Sequence, residues 1–97
     1  MPYIVQEKRD KVDQSIRALV EALQQLSPSD DFDEGLTNYT ITRLITGLLK
    51  TPKYSKINKA IGVLECVKAE FYRRLAGPYE DGAVERNGDI PEYKGKG

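Results

Sequence analysis

The sequence predicts an all-α fold: a small bundle of three main helices, a short C-terminal helix and an extended tail. Three observations carry this. Apolar residues recur at three- and four-residue steps in three separate stretches. Prolines and glycines punctuate the intervals between them. The totals, 97 residues with 39% hydrophobic and 31% charged, suit one compact domain and neither a disordered nor a membrane chain.

The first helix is expected over Lys11 to Leu26, where Val12, Ile16, Leu19, Val20, Leu23 and Leu26 fall within an arc of roughly 120°. Ser27-Pro28-Ser29-Asp30 closes it, and an acidic loop, Asp30 to Gly35, follows with Phe32 as its one large apolar residue. The second helix starts near Leu36 to Tyr39, with Thr37 or Asn38 as its cap. Ile41, Leu44, Ile45, Leu48 and Leu49 make its stripe. Four threonines pull toward a strand around Tyr39 to Ile41, but the period of three and four prevails until Thr51-Pro52.

The third helix is expected from about Tyr54 or Ser55 to Ala76 (55–76), with Ser55 a candidate cap and a stripe of Ile57, Ala60, Ile61, Leu64, Val67, Phe71 and Leu75. A second line of small residues, Gly62, Cys66 and Ala69, lies elsewhere on its circumference and suits close approach of another helix. Gly77-Pro78 is expected to break it. Pro78 then opens a short helix to about Asn87, with Gly88 as its C-terminal cap rather than part of an Asn87-Gly88 hairpin. One domain over 1–90 and a frayed tail over 91–97 complete the expectation. Tyr3-Ile4-Val5 reads as extended.

Absences narrow the chemistry. The chain has no histidine, which removes Ser-His-Asp and Cys-His nucleophile activation and every His-based metal site. A single cysteine, Cys66, makes neither an internal disulfide nor a thiolate zinc cluster, and fits a reducing cytoplasm. No apolar stretch reaches membrane-spanning length, and the N-terminus lacks the apolar core of a signal peptide. The expected protein is cytoplasmic, makes no membrane contact and implies no cofactor or metal.

The balanced charge hides an asymmetry. Residues 1–42 carry four basic and eight acidic groups, residues 43–74 eight and two, and residues 75–97 three and five. The basic centre supplies one candidate site: Arg43, Lys50, Lys53, Tyr54, Lys56 and Lys59 interleave cations with an aromatic ring across a loop and a helix start. That pattern could neutralise phosphates of a nucleic acid or phosphorylated ligand and stack a base. A solvated lysine-rich helix start is the commoner explanation, and a pI near 6.3 argues against a dedicated nucleic-acid binder.

Lys68 falls among the apolar positions of the third helix. Burial would make it a nucleophile or base, whereas a snorkelling ammonium would leave it structural. Glu65 and Glu70, with Glu21, are candidate cation ligands, but a five-residue step sets the first two about 140° apart around a helix. This departs from the spacing in all-α nucleotide pyrophosphohydrolases. Arg73 and Arg74 are expected to bridge to the acidic residues after Pro78.

Several segments together resemble a known family. They are Met1-Pro2-Tyr3-Ile4 with Arg9-Asp10, Asn38 to Thr42, Ile57 to Lys68, Glu70 to Arg74, Pro78-Tyr79-Glu80 and Asn87 to Ile90. The family comprises small phage, bacterial and archaeal proteins catalogued as a domain of unknown function. The resemblance spans nearly the whole chain and implies a self-contained module of microbial or phage source. It brings no activity, cofactor or catalytic residue. From the residues themselves, the leading expectation is a non-enzymatic homo-oligomer joined through Gly62, Cys66 and Ala69. Binding through the basic segment comes second, and a small nucleotide-processing enzyme third.

Overall fold

The computed structural model describes residues 4–27 and 29–94. Within them the chain is all-α: α1 (Gln6–Leu26), α2 (Glu34–Leu49), α3 (Tyr54–Phe71), a π-helical segment (Tyr72–Ala76) and α4 (Gly77–Asn87). Its internal contacts gather into two compact units, residues 1–57 and 58–97, with the boundary inside α3.

In the first unit, α1 begins five residues earlier than the apolar period indicates. The added turn is held by polar groups. Gln6 donates to Asp10 at 2.8 Å, and Arg9 donates to the Ile4 carbonyl at 2.7 Å and to Gln6 at 3.2 Å. Glu7 adds an acid where the helix dipole favours one. Val5, in extended conformation, provides the carbonyl that accepts from Lys8 and Arg9. The helix ends at Leu26 as expected; Pro28, expected to stop it, lies outside the described residues, as do Met1 to Tyr3 and 95–97 of the tail.

The cap of α2 is Asp33, not Thr37 or Asn38. Its carboxylate accepts from the Leu36 amide at 2.9 Å and from the Ser27 hydroxyl at 3.0 Å, so one side chain closes the loop and starts the helix. The threonines do not divert α2 to a strand. Thr40 returns its hydroxyl to the Leu36 carbonyl at 2.8 Å, and Thr42 donates to Asn38 at 3.4 Å, both four residues back. The helix stops at Lys50, whose φ of 63° and ψ of −69° bring the Thr51 amide within 2.7 Å of the Leu49 carbonyl. This is a tight γ-turn, a strained conformation for a residue with a Cβ.

The Ile57 amide donates to the Lys53 carbonyl at 2.9 Å, so α3 starts at Tyr54 and Ser55 lies inside its first turn rather than capping it. Gly77-Pro78 does not interrupt the helical backbone. Ala76 and Gly77 keep right-handed helical dihedrals, and the Gly77 amide reaches five residues back to the Tyr72 carbonyl. In a regular α-helix the Pro78 ring would press on the Arg74 carbonyl. One wider turn accommodates the ring and the missing donor, and α4 follows directly. Gly88, at φ 84°, donates to the Val84 carbonyl at 2.7 Å and ends α4, as the sequence suggests. Residues 91–94 form a turn on the Ile90 carbonyl, which accepts from Tyr93 and Lys94.

In neither unit is any described residue buried. The stripes that define the helices stay open: Ile16 and Leu19 on α1, Leu44 and Leu48 on α2, Ile61, Leu64 and Val67 on α3 are all exposed. Among the described residues, no helix is long and apolar enough to cross a membrane.

Candidate association site

Regular α-helical winding from Tyr54 to Phe71 sets Gly62, Cys66 and Ala69 on one face, within about 60° of arc. All three are exposed. A Cβ added at Gly62 would meet nothing within 4 Å. The line runs on into a shallow open groove edged by Ala69, Tyr72, Arg73, Gly77 and Asp81, where glycine leaves the helix surface low. Polar ties lie beside the groove. Glu70 accepts from Arg73 at 2.7 Å and from Arg74 at 2.9 Å, and these bonds hold its carboxyl below the ordinary range. The Tyr72 hydroxyl donates to Glu80 across the π segment, and that bond, with the charge of Glu80, raises the phenol's pKa. Arg73 and Arg74 thus meet Glu70 one turn back, where the sequence pointed them toward the acidic residues after Pro78; Glu80 of that stretch accepts from Tyr72 instead.

Lys68 stands at the edge of the same groove. Its side chain is 78% exposed and lies 3.9 Å from Glu65, itself exposed. The amine is therefore not enclosed by apolar side chains. Glu65 and Glu70 engage different partners, and among the described residues no three Cys, Asp or Glu side chains come together as a metal site.

The basic candidates fall into two sets. Lys50, Lys53, Tyr54 and Lys59 are exposed, Tyr54 at 78%. Arg43 and Lys56 are occupied. Arg43 donates to the Tyr39 hydroxyl at 2.9 Å and sits 5.8 Å from that ring's centre, a cation–π contact within one helix. Lys56 donates to the Leu49 carbonyl at 3.2 Å and the Thr51 hydroxyl at 3.0 Å, covering the open end of α2. Sequence reading missed this role, as it missed Asp33. A lysine seven residues beyond a helix end carries no local signal of reaching back, whereas Asp33, three before Leu36, follows a recognisable capping spacing.

These features define an all-helical chain with uncovered apolar faces and no enclosed catalytic constellation among its described residues. The family profile of a domain of unknown function (DUF6899) matches residues 1–90, and the chain belongs to that family. No curated protein and no solved structure matches it.

Proposed function

We propose that this chain is a non-enzymatic helical interaction module that self-associates, with α3 contributing Gly62, Cys66 and Ala69 as the line of closest approach. The observation that carries the reading is the exposure of most large apolar side chains on the stripes of α1, α2 and α3. Each large aliphatic side chain taken from water contributes about 1.5–3 kcal/mol, and a chain of this size depends on such burial for stability. A second copy offers the same apolar faces, and small residues let two helix backbones come near.

Light scattering at micromolar concentration should find a dimer or larger species, and Gly62→Leu should weaken it at least tenfold. A Cβ at Gly62 meets open space, and circular dichroism would check that the leucine variant keeps its helicity. A strictly monomeric wild-type protein ends the proposal.

A second reading, binding of nucleic acid or a phosphorylated ligand, draws support from the exposure of Lys50, Lys53, Lys59 and Tyr54. It requires salt-sensitive binding that Lys53→Glu with Lys59→Glu abolishes. Absence of any mobility shift at low salt removes it.

A further inference from the structure

Self-association through α3 leaves the exposed face of α2 without a role. Ile41, Leu44 and Leu48 are exposed there and fall within about 60° of arc, on a helix about 24 Å long. The two ends of α2 carry opposite charge. Asp30, Asp31, Asp33 and Glu34 crowd its N-terminal end, and Lys50, Lys53 and Lys56 its C-terminal end. The segregation is strict: residues 18–42 contain no lysine or arginine, and residues 35–64 no aspartate or glutamate. Asp33 and Lys56 are engaged in capping, while Asp30, Asp31, Glu34, Lys50 and Lys53 present exposed charge.

A helix with an apolar middle, an acidic end and a basic end is complementary to its own reversed copy. A two-fold axis beside Ile41 and Thr42, the midpoint of α2, sets each acidic end against the partner's basic end, so the attraction occurs twice. Parallel alignment would set like charges together. We propose that α2 packs antiparallel against α2 of a second copy of this chain, with Ile41, Leu44 and Leu48 at the centre and the charged ends fixing direction and register. The proposal rests on the self-association reading and adds a second contact to it. A single helix pair of this length lies at the small end of specific interfaces, so the contact should weaken with salt.

Charge exchange tests it. Lys50→Glu with Lys53→Glu makes both ends acidic, and Asp30→Lys with Asp31→Lys cancels the charge of the acidic end against the remaining Asp33 and Glu34. All four positions lie outside the span of α2, and circular dichroism would check that helicity is kept. At low salt each variant alone should show half the wild-type mass or less by light scattering, and an equimolar mixture should regain part of it, because the intact acidic end of one variant meets the intact basic end of the other. Leu44→Asp should produce the same loss without touching either end. Wild-type mass in all three variants, or no recovery on mixing, overturns the α2 pairing while leaving association through α3 standing. A wild-type protein that stays monomeric at every salt concentration overturns both.

Discussion

Pro52 and Pro78 stand in similar sequence settings, each just past a run of helical periodicity, yet the chain treats them differently. Before Pro52 the helix has already ended: Lys50 turns to positive φ, and α3 starts only at Tyr54. Before Pro78 the backbone stays helical through a π turn and continues as α4. The residue preceding each proline differs. Thr51 carries a branched Cβ, which a following proline ring pushes out of helical conformation. Gly77 has no Cβ, so much of that clash is absent and the helix needs only one wider turn. A proline therefore stops a helix in company with its predecessor, not alone.

Substitutions can break or sharpen this contrast. Pro78→Ala should have the largest effect. Restoring the amide removes the reason for the wide turn, raising stability by about 1–3 kcal/mol, read from thermal melts followed by circular dichroism. Gly77→Thr, which copies the residue before Pro52, should separate α3 from α4 at a cost of about 1–2 kcal/mol. A Cβ there meets the Tyr72 carbonyl at 3.7 Å, an ordinary contact, so the branch point itself is not crowded. Unchanged protection of the Tyr72 to Gly77 amides from hydrogen exchange would refute the explanation. Lys50→Gly should stabilise by about 1 kcal/mol by relieving the γ-turn, measurable by urea denaturation. Destabilisation would mean that the lysine side chain matters more than its backbone.

The smallest effects distinguish the two regions by pH. Hydrogen bonds from the Leu36 amide and the Ser27 hydroxyl lower Asp33 below the ordinary 3.8. Its support for α2 is therefore present above that value and lost as pH falls through the lowered one. The bond to Glu80 raises Tyr72 above the ordinary 10.0. Its contribution is present below 10.0 and lost as pH rises through the raised value. Acid should loosen the first turn of α2 while base loosens the π segment, each visible in residue-resolved exchange. Glu80→Gln should return the Tyr72 absorbance titration toward 10.0.

Much of the fold was legible because apolar side chains report helical period. Val12 to Leu26, Ile41 to Leu49 and Ile57 to Phe71 lie inside the helices observed. The polar first turn of α1 was not legible: Gln6, Arg9 and Asp10 sustain it through side-chain bonds that leave no hydrophobic pattern. The π segment escaped because Gly77-Pro78 reads as a stop unless the wider turn is considered. Of the candidate site, the line of Gly62, Cys66 and Ala69 follows from spacing alone. The exposure of the stripes did not, since periodicity says which side chains share a face and not what covers it.

The Lys56 clasp has a chemical consequence. A lysine nitrogen attacks an acylating reagent only when it is clear of its hydrogen-bond partners. An ammonium that donates to both the Leu49 carbonyl and the Thr51 hydroxyl must first leave them. Lys50, Lys53 and Lys59 face the reagent directly. Under limiting anhydride, Lys56 should lag behind its neighbours, and its eventual modification would strip the end of α2 of its cover.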